Sequence, residues 1–184
     1  MDVKNKYTCL RSFIENGDII LTRGKSLLSK TIRWTDDSYW NHALVVFKKG
    51  ERLLAIQSIA TGVKPDFLSA MIYRNLDFCI IKPLVSQQRK DECVDVVFEK
   101  GADGIPYNVW QLPKALIYKK LGINIKKLGA NPHKNICSVF AAITYGQLIP
   151  LNCYSAINEK QGFITPQDML RYADNSVEII GEKE

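Results

Sequence analysis

Short apolar runs alternate with helical spacings along the first hundred residues. Ile19-Ile20-Leu21, entered through the Gly17-Asp18 break, reads as a strand. Ser26 to Trp34 has apolar residues at 27, 28, 32 and 34, which is helical spacing. Ala43 to Phe47 is a continuous apolar run of strand length. Lys48-Lys49-Gly50-Glu51 then reads as a hairpin turn, with Leu53 to Ile56 as the returning strand. Asp66 to Arg74, apolar at 67, 68, 71 and 72, predicts a helix, and Phe78 to Ile81 predicts a strand closed by Pro83.

The second half is more helical. Ser86 can cap a helix running to Lys100, with Gly101 as its stop. Pro106 and Pro113 keep helical pieces short in the middle, and Asn131-Pro132 marks a turn. Cys137 to Leu148 reads as a largely buried helix. Thr165-Pro166-Gln167-Asp168 is a helix start: a capping hydroxyl, proline at the first position, an acid at the third. Val177 to Ile180 closes the series as a last strand. Strands early and helices late predict an α+β domain with a small antiparallel sheet. At 184 residues, with no repeat, linker or low-complexity tract, one domain over 1–184 is expected.

A hydrophobic fraction of 46% with 24% charged residues excludes a wholly disordered or collagen-like chain. The net charge of +6 is compatible with phosphate, anionic lipid or an acidic polymer without requiring any of them. Lys114, Lys119, Lys120, Lys126, Lys127 and Lys134 make one stretch basic, either a solvated face or a surface for anionic membrane. No nucleic-acid motif accompanies it, so nucleic acid is not an expected partner. No stretch reaches the ~18 apolar residues of a membrane span, and the first twenty residues lack a secretory leader. A cytoplasmic protein without a transmembrane segment is therefore expected. Cysteines at 9, 79, 93, 137 and 153 form no C-x-x-C and are odd in number, which favours free thiols.

Candidate chemistry gathers around few residues. The histidines are His42, at the head of an apolar strand, and His133, in a loop. Cys137 stands at the start of its predicted helix, where unpaired amides and the helix dipole favour thiolate. A cysteine nucleophile needs an imidazole to take its proton, and that imidazole needs a third group to fix its ring. With the hairpin turning at 48–51, Gln57 falls opposite His42 and supplies that group. The plainer alternative for Cys137 is a core thiol. Trp34, Tyr39 and Trp40, just before His42, suit either a groove wall or the core. His133 and Cys137 have ligand-like spacing but no further ligands with zinc spacing, so no metal is expected. Gly24-Lys25-Ser26 resembles the end of a phosphate loop, but Gly17 is seven residues before Gly24 where five are needed.

Five segments together carry a family resemblance: Gly17-Asp18-Ile19-Ile20-Leu21; Trp40-Asn41-His42-Ala43-Leu44-Val45-Val46; Gly104-Ile105-Pro106-Tyr107-Asn108; Ile136-Cys137-Ser138-Val139-Phe140; and Ile164-Thr165-Pro166-Gln167-Asp168-Met169. In this order the chain resembles the circularly permuted NlpC-type cysteine hydrolases, the YiiX-like branch of the papain-like superfamily related to lecithin:retinol acyltransferase. The resemblance implies a permuted papain-like fold, with a small antiparallel sheet or half-barrel packed against helices that include the cysteine's. It also implies Cys137 as nucleophile, His42 as proton shuttle and Gln57 as orienting group. Tyr107 and the Cys137 amide would serve the oxyanion, with Trp40 and Trp34 beside the substrate.

One departure stands out. Relatives in this branch often carry an acid where this chain has Gln57; Glu51 and Asp77 are conceivable substitutes without supporting spacing. A glutamine can accept from an imidazole N–H but cannot stabilise imidazolium by charge. The expected function is a thiol hydrolase or acyltransferase without cofactor, acting on an amide or ester of a cell-wall-type peptide or an acyl lipid. The alternative is a catalytically silent module binding lipid or peptide in the same groove.

Overall fold

The computed structural model describes residues 1–59, 62–102, 165–171 and 177–181, without the side chains of 28, 35, 36 and 96–102. These form an α+β architecture around an open six-stranded antiparallel sheet. The elements are α1 (Val3–Leu10), β1 (Ile19–Gly24), α2 (Leu27–Asp36), β2 (His42–Lys49), β3 (Arg52–Ile59), β4 (Gly62–Phe67), α3 (Leu68–Tyr73), β5 (Asn75–Pro83), α4 (Gln87–Ala102), α5 (Pro166–Arg171) and β6 (Val177–Ile180). The strand order is β4-β3-β2-β1-β5-β6, so the β1–β2 pair that bears His42 sits at the centre. The antiparallel sheet expected from the sequence is present, with β4 and β6 at its edges among the described residues.

Alternation along the central strands divides the core by face. Ile19, Leu21, Ala43, Val45, Cys79 and Ile81 pack with Cys93 and Val94 of α4 and Met169 of α5. Ile20, Leu44, Val46, Phe78 and Ile80 pack with Val3 and Tyr7 of α1 and Leu68 and Ile72 of α3. Both faces are covered, which is why β2 reads as an unbroken apolar run rather than an alternating one.

Two sequence expectations are corrected. The helix expected over Asp66 to Arg74 begins only at Leu68, because the chain up to Phe67 is strand β4. That strand is an edge, and Pro65 is tolerated there because one side of an edge strand has no ladder to feed. The hairpin turn is also tighter than the four residues expected. Lys49 pairs with Arg52, leaving Gly50 and Glu51 as the turn. Gly50 takes φ 58°, the left-handed value that a two-residue hairpin asks of its first residue.

Candidate active site

The tighter turn moves the partners of His42. In the β2–β3 register Val45 faces Ile56, which run on by one residue sets Gln57 against Leu44. His42 and Leu44 point to the same face, so Gln57 meets His42 on the diagonal, within reach of a long side chain. The contact is made: His42 Nε2 and Gln57 Oε1 are 3.0 Å apart. Gln57 is buried, and its Nε2 donates to the Sδ of Met71 on α3 at 3.2 Å. Thr22 is the direct register partner of His42 on β1. Its hydroxyl is buried with no hydrogen-bond partner among the described residues.

The approach to His42 is held from two sides. Asn41 Oδ1 accepts from the Gly24 amide at 2.7 Å and from Arg33 Nη1 at 3.2 Å, while Arg33 also donates to the Gly24 carbonyl at 2.7 Å. These bonds tie α2 to the end of β1. A side chain at Gly24 would collide with Ser29, its Cβ falling against the Ser29 hydroxyl. On the other side, Gln167 Oε1 accepts from the Tyr39 amide at 2.9 Å and the Trp40 amide at 3.3 Å. The helix that presents Gln167 starts as the sequence indicates. Thr165 and Asp168 cap each other reciprocally, each side chain accepting from the other's backbone amide at 3.1 Å.

The aromatic trio divides. Trp40 is 1% exposed in the core with Ile19 and Leu21, whereas Trp34 on α2 is 73% exposed. Tyr39 lies edge-on to Trp40, stacks under the Arg23 guanidinium and donates its hydroxyl to Asp77 at 2.9 Å. Burial, then the Asp77 bond, push the Tyr39 phenol up, so it stays a neutral donor. For Asp77 burial works in the upward direction, but bonds from Lys6, Tyr39 and the Phe78 amide outweigh it and hold the carboxyl below its usual range. Asp77 is thus engaged with Lys6 and Tyr39.

Cys137, Tyr107, His133 and Cys153 lie outside the described residues, as do the helix expected over 137–148 and the basic stretch 114–134. Among the described thiols Cys9 is exposed while Cys79 and Cys93 are buried, and burial pushes the Cys93 thiol up. Among the described residues no group of three or more His, Cys, Asp or Glu side chains could hold a metal ion. No described helix is long and apolar enough to cross a membrane. Sequence reasoning missed Met71, Asn41, Gln167 and Thr22 as neighbours of the His42 site. Met71 read as one more apolar position of a helix, and only the fold turns its sulfur towards Gln57.

The α+β architecture around this open antiparallel sheet is consistent with a YiiX-like fold. The crystal structure of metalloprotein YiiX from Escherichia coli O157:H7, DUF1105, is similar at a TM-score of 0.63 and 12% identity, over 92% of this chain and 97% of that one. No protein-family model and no curated protein matches the sequence.

Proposed function

We propose that the chain is a thiol hydrolase or acyltransferase acting on an amide or ester bond, with Cys137 as nucleophile, His42 as its base and Gln57 orienting the imidazole. The observation that carries this reading is the part-buried bond across the β2–β3 hairpin between Gln57 Oε1 and His42 Nε2, 3.0 Å long. With Nε2 engaged there, Nδ1 is the nitrogen that takes the thiol proton. The Cys137 thiolate adds to the carbonyl carbon, and the oxyanion is held by the Cys137 amide and Tyr107. As the C–N or C–O bond breaks, His42 returns the proton to the leaving group. Water, deprotonated by His42, then cleaves the thioester and releases the acid; a second amine or alcohol in its place gives acyl transfer.

The YiiX neighbour is described as a metalloprotein. Among the described residues, Gln57 and Thr22 stand against His42, an amide and a hydroxyl that do not make a metal-ligand set with it, and the steps above use side chains of this chain alone. The substrate class follows from the same reading: a cell-wall-type peptide amide, or an acyl chain on a lipid at an anionic surface met by the basic stretch. The buried Thr22 hydroxyl beside His42 is a donor that a bound carbonyl or carboxyl group would satisfy. Incubation with a p-nitrophenyl ester followed by intact-mass measurement tests the proposal. One acyl group on the wild-type chain, absent from Cys137→Ala and slowed in His42→Ala, is expected. No Cys137-dependent adduct would leave a binding-only module.

A further inference from the structure

The contact behind Gln57 determines more than packing. Met71 Sδ carries lone pairs and no proton, so only the amide nitrogen of Gln57 can usefully face it, and it does so at 3.2 Å. Gln57 Oε1 is thereby turned towards His42. A carbonyl oxygen only accepts, so in the neutral ring Nε2 holds the proton and Nδ1 the lone pair. We propose that Met71 is a positioning residue whose thioether fixes the direction of the Gln57 amide and, through it, the tautomer of His42.

A carboxylate at position 57 would be symmetric and need no such key. A glutamine does need one, because rotating the amide by half a turn exchanges acceptor for donor in nearly the same volume. The rotated form would place N–H groups against His42 Nε2, move the ring proton to Nδ1 and remove the base that a thiol requires. The sulfur is well held for this task. Leu68 and Ile72 anchor α3 in the core on either side of Met71, and the Met71 carbonyl accepts from Asn75 Nδ2 at 2.6 Å. Leucine would fill the same helical position about as well, so the sulfur matters for its lone pairs rather than its bulk.

The importance of this device for turnover rests on the thiol-hydrolase reading; the tautomer itself does not. Nitrogen NMR of chain labelled with 15N-histidine reads the tautomer directly, and the two histidines are told apart with His42→Ala. In a Cys137→Ala background, at a pH where the ring is neutral, His42 should be protonated on Nε2 and unprotonated on Nδ1. Met71→Leu should raise the Nδ1-protonated population by roughly two- to tenfold, the range of one neutral hydrogen bond. The same substitution in a Gln57→Glu background should leave the tautomer unchanged. A neutral ring protonated on Nδ1 in that background, or a tautomer unmoved by Met71→Leu, overturns the proposal.

If Met71→Leu does not fold, the wild-type chain still decides. Through-space contacts from the Gln57 side-chain amide protons to the Met71 methyl are expected, and contacts to the His42 ring instead would overturn the proposal. Parallel alkylation separates the two ideas. A tautomer that responds to Met71→Leu beside an ordinary Cys137 keeps the positioning role and removes the hydrolase reading. A reactive Cys137 with an unresponsive tautomer does the reverse.

Discussion

Asp18 and Thr22 mark the two ends of the apolar stretch of β1, and the polar groups gathered at each end differ in kind. At the first, Asp18 is fully buried and accepts from Lys90 and Lys82 at 3.1 Å each, with Glu15 completing the set. The hydrogen bond from Lys82 draws Glu15 below the ordinary carboxylate range. Burial works to lower the Lys82 ammonium, but Glu15 and Asp18 more than offset it, and its pKa is raised. At the other end, beside His42, the described second layer of Gln57, Met71 and Thr22 is an amide, a thioether and a hydroxyl, none of them charged. The Asp18 cluster neutralises charge and fixes β1 to β5 and α4. The His42 cluster neutralises nothing and dictates where one proton sits. Two motifs that look alike in sequence, each a polar residue leading into an apolar strand, thus serve stability in one case and the orientation of chemistry in the other.

Substituting the two clusters should separate these roles. Asp18→Ala leaves two largely buried lysines with the half-exposed Glu15 as their remaining described ion-pair partner. It should cost about 3 kcal/mol in urea unfolding, the lower end for breaking a buried pair, with Cys137 alkylation unchanged while the protein stays folded. A loss under about 1 kcal/mol would put the cluster among ordinary surface pairs. His42→Ala should do the opposite: Cys137 alkylation at neutral pH falls by about a hundredfold, the low end for a general base, while the unfolding midpoint barely moves.

Gln167→Ala removes the acceptor shared by the Tyr39 and Trp40 amides. It should cost about 1–2 kcal/mol and slow alkylation as well, since the loop it holds leads into His42. Stability without any change in reactivity would confine Gln167 to the scaffold. The smallest effect is expected from acid. Glu15 and Asp77 are both held below their unfolded values, so their contribution is present above the ordinary carboxylate range and is lost as pH falls through the lowered folded values. A shallow decline in unfolding free energy below about pH 4 should follow, steeper in wild type than in Asp77→Asn.

Much of the frame was legible because its residues act locally. Ser26 caps α2 through the Ser29 amide, the Thr165 start behaves as a capping box, and β6 spans the four residues expected. Strand β4 was hidden because Lys64, Pro65 and Asp66 interrupt any alternation, and its pairing comes from β3 rather than from its own pattern. Helix α1 gave no strong signal before Val3 and Tyr7 were seen to fill the α3 side of the core. For the site, His42 and Gln57 could be paired from hairpin arithmetic even with the turn misplaced. An error of two residues in register keeps both on one face, and long side chains bridge the diagonal. Met71 and Gln167 could not be found that way, since their roles depend on where separate helices dock.

Alkylation rate against pH bears most directly on the thiol chemistry. The buried Cys79 and Cys93 should contribute little, and Cys9→Ser removes the exposed described thiol from the background. In that chain one thiol should react fast with a depressed apparent pKa, vanish in Cys137→Ala and titrate as an ordinary thiol in His42→Ala. Uniformly slow, ordinary thiols would contradict a Cys137–His42 pair and leave His42 and Gln57 as parts of a binding site.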